Sequence, residues 1–172
     1  MHHVFEHFER AEALALLVRL HDWLEPRGRL VLETPDFDRC IAGWAERSFE
    51  DQALILRHMF GSQEAPWARH LDGWGAARFR YVLERLGYSD LEVTEGVSDA
   101  RGLLANVTVR ASKLPDGSGR REREARAREI LKMSMNGDGP SELGLLARWE
   151  DRLAELLSAD HDSLRLFARP AR

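Results

Sequence analysis

The side chains best suited to chemistry in this sequence are its histidines, and three of them, His2, His3 and His7, fall within the first seven residues. Imidazole exchanges a proton near neutral pH and is also the commonest metal ligand. His3 and His7 are four residues apart, so on a helix they share a face and make the beginning of a metal pair. No third ligand stands beside them, and zinc normally takes three or four. No metal site is therefore expected, and these histidines are read as structural or as lining a cleft. His70 stands alone in the polar stretch Arg69 to Asp72. A lone loop histidine serves either as a hydrogen-bonding anchor or as a general base, and His70 and His7 are the two candidate bases.

These residues need elements to hold them, and the clearest is the stretch Leu24 to Asp36. Pro26 and Gly28 form a turn, Leu30-Val31-Leu32 reads as a buried strand, and Pro35 ends it in a loop that begins with Asp36. Ligands of α/β sheets sit outside the carboxyl ends of the strands, so Glu33 to Asp38 is the first place to look for a site. Upstream, Glu9 to Leu24 is a core-packing helix with Ala13, Leu16, Leu17, Leu20, Trp23 and Leu24 at helical spacing. Its Glu9, Arg10, Glu12 and Arg19 fall largely on the other side.

Downstream, Asp36 to Trp44 reads as a short helix. Ser48 is the N-cap of another that runs to about Phe60 and stops at Gly61. The aromatics Phe37, Trp44, Phe49, Phe60, Trp67 and Trp74 either line a pocket or pack this insertion onto the sheet. Gly75 to Leu86 is an amphipathic helix. Leu91 to Val97 and Leu103 to Ala111 form a hairpin of strands. Residues 114–119 read as a linker. Beyond it, residues 120–172 form a helical extension, with helices over Arg120 to Met133 and Ser141 to Ser158 and a polar tail, Asp160 to Arg172, carrying a Leu164/Leu166/Phe167 anchor. The arginines of the first of these helices alternate with glutamates, which favours a solvated, salt-bridged face over a nucleic-acid surface.

The 172 residues suffice for one domain with a real core, and the 44% hydrophobic content is ordinary. A net charge of -4 offers phosphate backbones and anionic lipids no general attraction, so neither nucleic acid nor membrane is an expected partner. The single cysteine, Cys40, excludes an internal disulfide framework and fits a reducing compartment; no leader or transmembrane run is visible. A cytoplasmic location is expected.

Two ordered blocks carry a resemblance to a known family. His3-Val4-Phe5-Glu6-His7-Phe8, followed by Leu24-Glu25-Pro26-Arg27-Gly28-Arg29-Leu30 and Pro35-Asp36, resembles the second half of a class I S-adenosylmethionine-dependent methyltransferase, with Arg27 where the family has a first glycine. Phe60-Gly61-Ser62-Gln63, then His70, then Phe79 to Tyr88, is similar to a block of a bacterial subgroup of predicted methyltransferases. The resemblance spans residues 2 to 113 and implies an α/β fold. That fold is a partial Rossmann-like sheet with one parallel-type strand, a C-terminal antiparallel hairpin and packed helices. It further implies S-adenosylmethionine as cofactor, with His2, His3 and Phe5 at its border. Pro35, Asp36, Trp67 and His70 would lie on the side of an unidentified small-molecule or saccharide-type acceptor. The family's Gly-rich cofactor turn occurs nowhere in these residues, so the chain is expected to be inactive alone.

Three functions compete on this reading: a methyltransferase-like enzyme, a non-catalytic interaction module derived from one, and a small histidine-dependent metal protein. In the family's sheet the fifth strand lies between the fourth and the seventh, which leaves one edge of the Leu30 to Thr34 strand open. Self-association, or a partner supplying the missing half, is expected at that edge.

Overall fold

A computed structural model describes residues 1–114 and 119–159. Three strands, β1 (Arg29–Pro35), β2 (Tyr88–Val97) and β3 (Ala105–Lys113), form one sheet of order β1-β3-β2. β3 is antiparallel to both neighbours, with Val109 opposite Leu32 on one side and Val93 on the other. Within the sheet β1 pairs antiparallel with β3 and runs in the same direction as β2, so the expected parallel-type strand has no parallel partner in the sheet. The connections explain this. A helical crossover of α2 (Phe37–Ile41), α3 (Phe49–Phe60) and α4 (Ala76–Arg85) brings β2 back in the direction of β1. The hairpin return then inserts β3 between them, opposed to both.

A parallel contact occurs instead on the other edge of β1, as a single bridge between His2 and Glu33. The Met1 amine donates to the Val31 carbonyl at 2.7 Å, the Glu33 amide to Met1 at 2.9 Å, and the His3 amide to Glu33 at 2.9 Å. The edge expected to be open is thus capped from Val31 to Glu33 by the N-terminal residues. His3 takes a left-handed backbone, φ 50°, to make this turn.

Helix α1 (Arg10–Trp23) lies between two layers, and this changes its expected character. Leu14, Leu17 and Val18 are buried, and so is Arg19, although its spacing places it largely on the polar side. The reason is that α5 (Arg120–Lys132) and α6 (Pro140–Ser158) cover the side of α1 away from the sheet. Arg19 donates to the carbonyls of Leu156 at 2.7 Å, Leu157 at 3.3 Å and Ala159, which closes the C-terminal end of α6 where a helix lacks internal partners. Leu131, Leu153 and Leu156 join Leu17, Leu32, Phe79 and Val109 in one continuous core. The extension is thus built into the core of the residues before it.

On α5, Arg120 pairs with Glu124 at 2.9 Å and Arg126 with Glu122, as the alternating charges suggest, while Arg123 turns inward to Asp22 of α1. The N-cap of α3 is Ser48, accepting from the Asp51 amide at 3.2 Å, and Gly61 follows the helix with φ 77°. Residues 115–118 of the expected linker and the tail 160–172 with its apolar anchor lie outside the described residues. Among the described residues no helix is long and apolar enough to cross a membrane.

Candidate functional site

Past its bridge to β1, the N-terminal segment makes a 3-10 turn over Phe5–His7. Phe5 anchors the turn: it is fully buried, with ring centroids 4.9 Å from Trp74 and 6.1 Å from Phe79. The Leu71 amide donates to the Glu6 carbonyl at 2.8 Å and the His70 amide to the Phe60 carbonyl at 3.3 Å. The loop around His70 is thereby tied both to the N-terminal turn and to the end of α3. Gly61 permits this approach, since a Cβ there would fall 2.0 Å from the Ala68 carbonyl oxygen.

These ties bring His70 to three groups of the N-terminal segment, His3, Glu6 and His7. Glu6 is 2% exposed, and neither of its carboxylate oxygens accepts an aligned hydrogen bond. His3 Nδ1 lies 3.3 Å and His70 Nε2 3.9 Å from Glu6 Oε1. The His7 and His70 rings meet edge to face with centroids 4.7 Å apart. One donor atom each from Glu6, His7 and His70 lies within 4.8 Å of the others.

Both of those imidazoles are held by backbone carbonyls, His7 Nδ1 by Arg69 at 2.8 Å and His70 Nδ1 by Met59 at 3.2 Å. A carbonyl only accepts, so Nδ1 carries the hydrogen and neutral Nε2 keeps its lone pair. His3 Nε2 extends the group to Glu33 at 3.5 Å, and the Thr108 hydroxyl donates to Glu33 at 2.8 Å.

Burial dominates the electrostatics here. It pushes the Glu6 carboxyl above its usual range, against its own backbone amide and the nearby His3 and His7, which pull it down. It pushes the His70 ring down to about 4, with the charge of His7 adding to the effect. The Thr108 hydroxyl foremost holds Glu33 below the ordinary carboxylate range. A buried carboxyl favoured neutral beside an imidazole favoured neutral is a pair able to take up or pass on a proton.

Next to His70 the surface opens into two adjoining cavities, of which the larger is apolar. One of about 420 Å³ is lined by Phe37, Ile41, Trp44, Ile55, Leu56, Met59 and Phe60. A second of about 110 Å³ shares Phe37, Met59 and Phe60 with the first and adds His70 and Asp72. The larger volume suits a small molecule.

The expected site residues divide accordingly. His3, His7 and His70 come together, whereas His2 stands at the exposed rim, 3.4 Å from Glu33. Phe5 is enclosed in the core. Pro35 pairs in the sheet opposite Asn106, and buried Asp36 caps α2 by accepting from the Arg39 amide at 3.3 Å. Trp67 is 70% exposed and takes no part in either cavity wall. Of the aromatics, Phe37, Trp44 and Phe60 line the larger cavity, while Trp74 stacks on Phe79 in the core. Glu33 falls in the stretch Glu33 to Asp38 expected to border a site, whereas Glu6 is not among the expected site residues; its available signal is a carboxylate three residues after one histidine and directly before another.

No protein-family model, curated protein or solved structure matches this chain.

Proposed function

We propose that these residues form the acceptor side of a class I S-adenosylmethionine-dependent methyltransferase-type enzyme, the 420 Å³ cavity taking an apolar small molecule and His70 serving as base beside it. The observation that carries this reading is the sheet order. β3 lies between β1 and β2 and opposes both, with Met1 to His3 along the far edge of β1. That is the order the resemblance implies for a fourth strand's end followed by the fifth, seventh and sixth.

The chain's own contribution is to hold the acceptor and receive its proton. The apolar lining from α2 and α3 favours an acceptor with a hydrocarbon or aromatic body over a saccharide. His70 Nε2, left with its lone pair by the Nδ1 contact to Met59, is the atom that takes the acceptor proton. S-adenosylmethionine, when bound, supplies an electrophilic methyl group. The residues present do not fit that cofactor: they include no Gly-rich turn, Phe5 is closed into the core and His3 is engaged by Glu6 and Glu33. Its grip has to come from other residues.

A fragment screen followed by NMR tests this reading. Apolar aromatic fragments should shift resonances of Ile41, Leu56 and Phe60, and Ile41→Arg, at a solvent-facing wall position, should abolish those shifts without unfolding the chain. S-adenosylmethionine should give no saturable calorimetric signal at micromolar concentration. Fragments that leave the cavity residues unmoved, or a tight cofactor complex of this chain alone, would remove the proposal.

A further inference from the structure

The Glu6 group has a feature that an acceptor base does not require: a carboxylate almost wholly removed from water, without an aligned donor, among three imidazoles. Burying such a group without partners is costly, and a hydrogen-bonded network would normally satisfy it. Here the neighbouring ring nitrogens whose roles are settled, Nε2 of His7 and of His70, present lone pairs, because their Nδ1 hydrogens are used on the Arg69 and Met59 carbonyls. Where Glu6 is ionised, a positive ion among these acceptor atoms would satisfy the carboxylate and both rings at once.

We propose that Glu6, His7 and His70 bind one divalent transition-metal ion of the zinc class. Ligand atoms around such an ion stand about 2.0–2.2 Å from it. The separations of at most 4.8 Å between one donor atom of each residue close onto an ion by small side-chain rotations. Histidine ligands typically donate the other ring nitrogen to a carbonyl or carboxylate, which fixes the tautomer, and both rings here already do so. Two imidazoles and one carboxylate form the donor set of zinc and related borderline ions with a coordination position left for another molecule. His70 also lines the 110 Å³ cavity, so the ion would lie beside the space where a small molecule enters. His3, 3.3 Å from Glu6 and 3.5 Å from Glu33, would orient the carboxylate from outside the ligand set. Binding of the ion depends on neither the acceptor nor the cofactor, and an ion on His70 Nε2 occupies the lone pair that the base role uses, so that role belongs to the metal-free chain.

The test uses the full chain, stripped with a chelator and titrated with Zn²⁺ by calorimetry and with Co²⁺ by visible absorption. The expected result is one ion per chain and cobalt d–d bands of a four- or five-coordinate site. Glu6→Gln, which keeps shape and volume, and His70→Ala should each weaken binding by about 100-fold or more, beyond the roughly 10- to 100-fold typical of an outer partner. His2→Ala should leave it unchanged. In ¹⁵N spectra of the wild-type chain, where folding of a variant is not in question, Zn²⁺ should move Nε2 of His7 and His70 and leave His21 and His58 in place. Absence of saturable binding, binding that survives Glu6→Gln, or binding that moves only His2 and His3 would each overturn the site.

Discussion

The front and back of helix α1 treat buried charge in opposite ways. Behind it, where α5 and α6 pack, Arg123 meets Asp22, Arg152 meets Glu12, and Arg19 donates to three carbonyls at the end of α6. Each buried cation there has a structural counterpart supplied by another helix. In front, Glu6 is as deeply buried as any of these yet accepts no aligned hydrogen bond, and its neighbours are imidazoles rather than arginines. Charge that holds a fold together is matched by permanent opposite charge or by carbonyls. Charge left unmatched in a buried site is what a proton, a metal ion or a substrate can complete.

The comparison is most strongly tested from the back. Arg123→Ala removes the buried partner of Asp22, which keeps Arg120 at 3.5 Å, and should cost about 3 kcal/mol, the low end for one-sided removal of a buried ion pair, read from urea denaturation. Leu153→Ala should follow at about 3 kcal/mol, because fully buried leucine truncation combines lost transfer energy with a cavity. Both variants should unfold in a single transition, since the core runs through all layers. A separate transition for α5 and α6 would contradict that continuity.

The front should respond with the opposite sign. In metal-free protein, Glu6→Gln removes a buried carboxyl that burial already holds toward its neutral form, so stability should stay level or rise by about 1 kcal/mol. A loss comparable to that of Arg123→Ala would mean that Glu6 is structurally paired like the charges behind α1.

The smallest effect concerns His21, on the packed side. Its Nε2 faces the Gly87 carbonyl at 3.1 Å, and burial, then the Arg123 charge, lowers its pKa from the ordinary 6.5. The unfolded chain therefore takes up this proton first as pH falls. The contribution of neutral His21 is fully present above 6.5 and is lost as pH drops through 6.5 toward the lower folded value. Urea midpoints at pH 7 and pH 5.5 should differ in that sense, and the difference should shrink in His21→Gln.

Much of the fold is legible in local sequence, because helices and strands are set by spacing that neighbours in the chain share. Leu30 to Leu32 between a Pro/Gly turn and Pro35, the Ser48 cap with Gly61 after α3, and the alternation in β2 and β3 all mark their elements to within a few residues. Histidine as the chemical residue type was equally plain, since no other side chain here titrates unperturbed near neutral pH.

Tertiary structure alone decided what those elements enclose. The spacing of α1 suggests one buried face; only the docking of α5 and α6 determines that Arg19 is inside and bonded to the end of α6. The sequence separates Glu6 from His70 by more than sixty positions, and Phe5 from Trp74 by nearly seventy. Their meeting depends on a sheet edge that holds Met1 to His3, an aromatic stack that pins Phe5, and a loop that Gly61 lets pass close to Ala68. Local propensity reaches only a few residues along the chain, so a site whose ligands come from the N-terminal turn and from within the crossover is specified by packing.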